Sequence, residues 1–332
     1  MGAHLCHRYV ISTIRLYQIL SYRISLFHRV RASSSVQRRR FDGLSHQFVR
    51  GRPRVMCARF SYKIFFPRSL PFFLSSHTSH TDQAHQNETM TTRLASTMET
   101  FSPRGEHTHT VIFLHGRDSI AEEFAEEFFE SQATGEETLL DIFPSVKWVF
   151  PSAGLLNSAR FGCELSQWFD MYTTENPHEQ GDEQDLLPSI SRIQDIIAQE
   201  AALIGHDKII LGGISQGCAV AIHALLSGHK QLGGFIGLCS WLPKREDIKQ
   251  IDGTTNQAIR TPLLLCHAQD DDVINVTFGN ELRDSLESIG MKPRWCEYAP
   301  GAEMPHWVNE PRGVDDMVAF LSDVGVPAKK NP

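Results

Sequence analysis

The residues that most suggest chemistry are a serine and two flanking glycines, in Gly-Ile-Ser-Gln-Gly at 213–217. An apolar run, KIIL, precedes this pentapeptide, and a helix-forming segment, QGCAVAIHALLSG, overlaps its end. Between a strand and a helix, the G-x-S-x-G turn is so tight that the positions two before and two after the serine must be small. The serine then projects at a helix N-terminus, where backbone N–H groups stabilise developing negative charge. We interpret Ser215 as a nucleophile; the alternative is an incidental serine in a glycine-rich turn.

A nucleophilic serine needs a histidine base, and the base needs an acid that orients it. Three carboxylates follow an apolar run in HAQDDDVI at 267–274, and His306 lies in the turn-rich segment GAEMPHWVN at 301–309. The spacings from Ser215 to these carboxylates and on to His306 each suit one β-α-β step. We predict that His306 is the base. Three other histidines are interpreted as packing or surface residues: His223, His229 and His267.

Strands that alternate with helices must bring these residues together. Nearly continuous apolar runs, typical of strands buried on both faces of a parallel sheet, occur at 109–116, 146–153, 208–213, 233–243 and 261–268, with a further strand at 294–300. Helical patterns lie between or after them, at 122–131, 186–205, 216–228, 278–290 and 314–325. The alternation predicts an α/β fold: a three-layer sandwich with a mostly parallel sheet flanked by helices.

The composition changes near residue 106. Residues 1–100 carry 15 Lys and Arg against 4 Asp and Glu, and the other 232 residues carry 17 against 35, a net charge of −18. An acidic body is poorly suited to phosphate backbones, so we expect no nucleic-acid partner. The predicted organisation is a basic N-terminal extension at 1–105, a catalytic domain at 106–325 and a C-terminal tail at 326–332.

The N-terminal extension has no sustained periodicity, and Pro and Arg interrupt its apolar patches. Its composition, rich in Arg and Ser and poor in acids, leaves two interpretations open. In the first, it has no folded role and is either a disordered extension or sequence upstream of a start at Met90 or Met98. In the second, it is a mitochondrial transit segment. No stretch of the chain reaches the ~18–20 apolar residues of a transmembrane helix.

Several separated motifs resemble the acyl-protein thioesterase and lysophospholipase family of small α/β hydrolases, over residues 109–323. They are VIFLHG, SQWFDM at 166–171, GGISQG, GLCSWLP, CHAQDDDVI and PHW, and the form ARFGCELSQWFDM is most similar to fungal members. The resemblance implies that Asp271 is the acid, because the family motif His-Gly-x-x-Asp-x-x-Val falls on it rather than on Asp270 or Asp272. It also implies that the backbone N–H groups of Arg117 and Gln216 form the oxyanion hole.

The resemblance further implies that Trp168, with Phe169, borders the acyl pocket; the alternative is that these aromatics only pin a long connection, 152–185, to the core. One departure concerns the first loop. The family reads His-Gly-x-Gly-Asp, and residues 115–119 here read HGRDS. A backbone donor survives any side chain, but the lost glycine affects the tilt of the loop. Arg117 itself is either solvated or in contact with substrate.

These residues predict a serine hydrolase that cleaves acyl thioesters or esters without a metal or organic cofactor. The expected partner is an acylated protein, a lysophospholipid or another ester, and transient contact with a membrane surface is compatible with such substrates. The alternatives are a general carboxylesterase, a cyclic-lactone hydrolase, which would favour cysteine at position 215, and a non-catalytic binding protein of the same fold. The seven cysteines form no C-x-x-C pair and are interpreted as reduced thiols of an intracellular protein. The expected location is the cytoplasm, with the nucleus as a further compartment, or the mitochondrion if the N-terminal extension acts as a transit segment.

Overall fold

The computed structural model describes residues 98–179 and 185–329 of the chain. The interpretations of residues 1–97, including the transit segment, lie outside the described residues, as do Cys6, Cys57 and the last three residues of the tail. Within the described residues, no helix combines the length and the apolar character that crossing a lipid bilayer requires.

A seven-stranded sheet forms the centre of the fold, in the order β1-β3-β2-β6-β7-β8-β9. Its strands are β1 (Met98–Phe101), β2 (His109–Leu114), β3 (Val146–Pro151), β6 (Ile209–Ile214), β7 (Gly234–Leu238), β8 (Leu263–Ala268) and β9 (Pro293–Tyr298). All neighbours pair in parallel except β1, which runs antiparallel to β3. The predicted α/β class and its mostly parallel sheet are confirmed.

The helices cover both faces of the sheet. They are α1 (Ala121–Glu130), α2 (Leu139–Ile142), α3 (Leu187–Ile204), α4 (Gln216–Ser227), α5 (Arg245–Lys249), α6 (Val276–Ser288) and α7 (Arg312–Asp323). Along β2, Ile112 and Leu114 pack into one core with α3, α4 and α6. Val111 and Phe113 alternate with them and pack into a second core with α1 and α7. Burial on both faces explains why the strands read as continuous apolar runs.

Strand β1 corrects the predicted start of the domain. The boundary at residue 106 placed Met98–Phe101 in the extension, but these residues form the antiparallel edge strand of the sheet. The Phe101 ring packs edge-on against Phe129, with ring centroids 5.0 Å apart, and against Phe150 at 6.0 Å. A four-residue strand with one half-buried aromatic side chain is too short to give a periodic signal in the sequence.

The connection at 152–185 is not a plain loop. It contains a two-stranded antiparallel hairpin, β4 (Leu155–Ser158) and β5 (Cys163–Ser166). Two hydrogen bonds fasten the end of β5 to the loop after β2: Asp118 N–H donates to the Ser166 carbonyl at 2.8 Å, and Ser166 Oγ donates to the Ser119 carbonyl at 2.6 Å. The hairpin therefore holds the segment that follows it, SQWFDM, against the carboxyl edge of the sheet.

Candidate active site

Ser215 occupies the sharp turn between β6 and α4. Its backbone angles are φ 53° and ψ −125°, a combination that is costly for a residue with a Cβ and is typical of strained functional turns. A Cβ at Gly213 would lie 2.7 Å from the Cys218 nitrogen, and one at Gly217 would lie 2.6 Å from the Leu114 carbonyl oxygen. Both glycines are therefore sterically required, as the sequence pattern predicts.

The carboxylate of Asp271 follows β8 and is almost fully buried. Its Oδ1 accepts the backbone N–H groups of Val273 and Ile274, both at 2.9 Å, which fixes its orientation. The Nδ1 atom of His306 lies 2.8 Å from Oδ2 and 3.0 Å from Oδ1. Burial alone would raise the pKa of Asp271, but hydrogen bonds from His267 and His306, together with the Ile274 amide, hold it well below its usual range. The structure thus brings together the predicted acid and base.

His267, which the sequence analysis interprets as a packing or surface residue, also contacts the Asp271 carboxylate. Its Nε2 atom lies 3.2 Å from Asp271 Oδ2 and 2.8 Å from the Ile274 carbonyl oxygen. Because a carbonyl can only accept, Nε2 carries a hydrogen there. Gly279 in α6 makes room for the ring, since a Cβ at this position would clash with it. The spacing His-x-x-x-Asp across a strand end was the available signal for this contact.

The neighbouring carboxylates have other roles. Asp270 Oδ2 accepts the Gly301 N–H at 2.8 Å, and Asp272 is exposed. His223 is buried and bonded to the Pro243 carbonyl at 2.9 Å, and His229 is exposed, in agreement with their interpretation as packing and surface residues.

Ser215 is close to the loop that follows β2. A Cβ at Gly116 would lie 3.6 Å from the Ser215 Cβ, so the backbone of this loop lines the space beside the serine. Within residues 98–179 and 185–329, no hydrogen bond joins the Ser215 hydroxyl to His306. Catalytic hydrogen bonds of this kind often form or shorten only when substrate binds, so the lack of the bond does not argue against His306 as the base.

The loop tolerates the loss of its glycine because Asp118 takes the left-handed conformation itself, with φ 65°. Asp and Asn enter this region more readily than other side chains. The Arg117 side chain keeps 18% of its exposure and is held by two hydrogen bonds. Its Nη1 donates to the Met171 carbonyl at 3.2 Å and its Nε to Asp118 Oδ2 at 3.2 Å. Arg117 therefore ties the loop to the segment after the hairpin.

His115 anchors the start of the same loop. Its Nδ1 donates to the Gly116 carbonyl at 2.6 Å, and its Nε2 accepts the Ala153 N–H at 3.0 Å. This arrangement requires the neutral ring, because a protonated Nε2 would face another donor. Burial lowers the pKa of His115 to about 4.

Trp168 and Phe169 are buried, and their assignment to the acyl pocket stays a prediction. Their exposed fractions are 1% and 0%, and both belong to the core beneath α3 and α4. The Trp168 indole N–H donates to the His115 carbonyl at 2.8 Å. The contacts favour the alternative, in which the aromatics pin the connection to the core.

Cys239, Asp271 and His306 form a group of metal-ligating types whose ligand atoms all lie within 4.8 Å of one another. Burial, followed by the nearby Asp271 carboxylate, raises the pKa of the Cys239 thiol well above its usual value. Since the Asp271 oxygens already accept two amides and approach two imidazoles, this arrangement is best suited to orienting His306.

Comparison with known proteins gives consistent results. The sequence profile described as phospholipase/carboxylesterase matches residues 95–323. An acyl-protein thioesterase 1 from Cryptococcus neoformans is 30% identical over 236 residues, covering 67% of this chain and 94% of the relative. One from Yarrowia lipolytica is 33% identical over 182 residues, covering 54% of this chain and 77% of the relative.

Solved structures share the fold. The crystal structure of acyl-protein thioesterase 2 from Zea mays gives a TM-score of 0.55 at 22% identity, covering 69% of this chain and 99% of that one. The crystal structure of SOBER1 from Arabidopsis thaliana gives 0.54 at 21% identity, covering 65% and 99%.

Proposed function

The chain belongs to the phospholipase/carboxylesterase family and is a serine hydrolase of the α/β-hydrolase fold, and we propose that it removes acyl groups from thioesters or esters, with acylated proteins or lysophospholipids as its substrates. The relatives named acyl-protein thioesterase 1 support the thioester substrate class. Two observations support the proposal: the strained turn at Ser215 after β6, and the His306–Asp271 pair, whose carboxylate follows β8 of the same sheet.

The proposed reaction has two steps. His306 Nε2 takes the proton of the Ser215 hydroxyl as Oγ attacks the acyl carbonyl, and the imidazolium then protonates the leaving thiol or alcohol. Water, deprotonated by the same nitrogen, then attacks the acyl-enzyme carbonyl; the bond to Oγ breaks, the imidazolium returns the proton to Ser215, and the fatty acid leaves. Asp271 accepts from Nδ1, which leaves Nε2 free as the base and stabilises the imidazolium.

The backbone N–H groups of Arg117 and Gln216 are proposed as the oxyanion donors. Gln216 is the first residue of α4, where backbone N–H groups have no acceptor within the helix. Arg117 follows Gly116, whose backbone borders Ser215. Both segments therefore lie beside Ser215, where two backbone donors would stabilise the charge that develops on the acyl oxygen.

A matched substrate series tests the proposal. Purified full-length protein would be assayed on thioesters and oxygen esters of the same acyl groups, from short to long chains, with the Ser215→Ala variant as the blank. We expect the highest kcat/KM for long-chain thioesters or lysophospholipids. A preference for short soluble esters would instead identify a general carboxylesterase, and the absence of all turnover above the blank would contradict the proposal.

A further inference from the structure

The buried side chain of Gln216 joins two separate parts of the site. Its Oε1 accepts the backbone N–H of Trp168, and its Nε2 donates to the backbone carbonyl of Phe169, both at 2.8 Å. The residue is fully excluded from solvent. The carboxamide therefore bridges the Trp168 N–H and the Phe169 carbonyl within a bend of the SQWFDM segment. The backbone N–H of the same residue, Gln216, is a proposed oxyanion donor.

The segment 168–171, which Gln216 contacts, makes further hydrogen bonds to other parts of the site. The Trp168 indole donates to the His115 carbonyl, two residues before Arg117, and Ser189 Oγ donates to the Trp168 carbonyl at 2.6 Å. Arg117 itself donates to the Met171 carbonyl. One segment, 168–171, thus bonds to both stretches that carry the proposed oxyanion donors.

The chemistry of the carboxamide matches this position. It supplies one acceptor and one donor in a plane, as Trp168 N–H and Phe169 C=O require. A glutamate here would turn a carboxylate oxygen towards the Phe169 carbonyl and lose the second bond. A methionine would keep the shape and leave both backbone groups buried without a partner, which is costly.

We propose that Gln216 is a positioning residue. Its carboxamide, through the 168–171 segment, fixes the positions of the Arg117 and Gln216 backbone N–H groups relative to each other. The inference rests on the proposed oxyanion hole. A displacement of a donor by about 1 Å weakens an oxyanion contact much more than it weakens binding of the uncharged substrate. Loss of the carboxamide should therefore lower kcat and leave KM nearly unchanged.

The test compares Gln216→Met and Gln216→Glu in the full-length protein with a matched control, Gln194→Met. Gln194 is half-buried on α3 and makes one hydrogen bond, to the Ala224 carbonyl. The measurements are kcat and KM, the affinity for an alkyl boronic acid, whose serine adduct imitates the tetrahedral intermediate, and hydrogen exchange at the Trp168 amide. We expect both Gln216 variants to lose on the order of 10- to 100-fold in kcat and a similar factor in boronate affinity. Exchange at Trp168 should be faster, and the control should match wild type.

Other outcomes would overturn the proposal. A folded Gln216→Met protein with wild-type kcat and boronate affinity would show that the carboxamide supports only stability. Failure of both Gln216 variants to fold would assign it a purely structural role. Fluorophosphonate labelling of Ser215 in wild type distinguishes failure of this proposal from failure of the proposed function. Labelling tests the nucleophile, and hydrogen exchange at Trp168 tests the contact between the Gln216 carboxamide and the 168–171 segment.

Discussion

His267 and His306 approach the same oxygen of Asp271, at 3.2 Å from Nε2 and 2.8 Å from Nδ1 respectively. The Asp271 side chain has no solvent contact, and it is surrounded by these two imidazoles, by two backbone amides and by the nearby Cys239 thiol. Every one of these groups can donate, and none competes as an acceptor. The site thereby keeps a buried carboxylate ionised, which is the state needed to orient the base.

Asp271→Asn should lower kcat by about 10⁴-fold, because an amide in this place can favour the tautomer with hydrogen on His306 Nε2. Asp270→Asn and Asp272→Asn are the controls, because they make the same chemical change at neighbouring positions, and they should lower kcat far less. Steady-state kinetics on the preferred acyl substrate would decide between them. If Asp272→Asn were the damaging change, the family motif would be aligned one residue out of register.

Ser215→Ala should lower turnover by about 10⁴-fold or more and leave the fold intact, because alanine fits the turn as well as serine does. A fluorophosphonate probe should label wild type and leave the variant unlabelled. Persistent labelling of another serine in the variant would remove Ser215 from the mechanism.

His115 should make the stability of the protein depend on pH. Its unfolded-state pKa is near 6.5 and its folded-state pKa is about 4, so the contribution of the neutral ring is fully present above pH 6.5. As pH falls towards 4, the unfolded state binds a proton that the folded state does not. The free energy of unfolding should therefore fall by roughly 3 kcal/mol over this window. Urea unfolding at several pH values gives the free energy of unfolding as a function of pH, and His115→Asn should show a weaker dependence than wild type. An equal dependence in both proteins would contradict a neutral His115 in the folded state.

The conformation of Asp118 can be tested with two substitutions that both remove its carboxylate. Asp118→Gly should be more stable than Asp118→Ala by about 1 kcal/mol, because only glycine adopts φ near 65° without steric cost. Thermal or urea unfolding gives the comparison directly. Equal stabilities would indicate that the loop relaxes away from the left-handed region.

Most of the sheet and the contact between Asp271 and His306 could be predicted from the sequence. Strands buried on both faces leave continuous apolar runs, and Gly213 and Gly217 mark a turn that only glycine can make. What escaped prediction depends on contacts between distant residues. The Gln216 side chain bonds to a segment 48 residues earlier in the chain, and the burial of Trp168 depends on α3 and α4 closing over it. An exposed and a buried tryptophan look alike in one sequence.

Truncation tests where the domain begins. Residues 1–97 are expected to be dispensable, so a chain that starts at Met98 should keep wild-type kcat and lie within about 1 kcal/mol of wild-type stability. A chain that starts at Glu106 should be less stable, because it loses Phe101 from its contacts with Phe129 and Phe150. Unfolding curves of the two truncated proteins and the full chain make the comparison. Equal stability of both truncated forms would show that β1 contributes nothing.

The antiparallel pairing of β1 with β3 also bears on solubility. β3 contains Trp148, Val149 and Phe150, all buried, and its backbone edge is satisfied by Met98–Phe101. Without that cover, a strongly apolar strand would present unpaired N–H and C=O groups to other molecules, the usual starting point for edge-to-edge aggregation. Met98–Phe101 thus protect the edge of β3 from pairing with other molecules. Chains that lack these four residues should form oligomers or precipitate rather than remain monomeric.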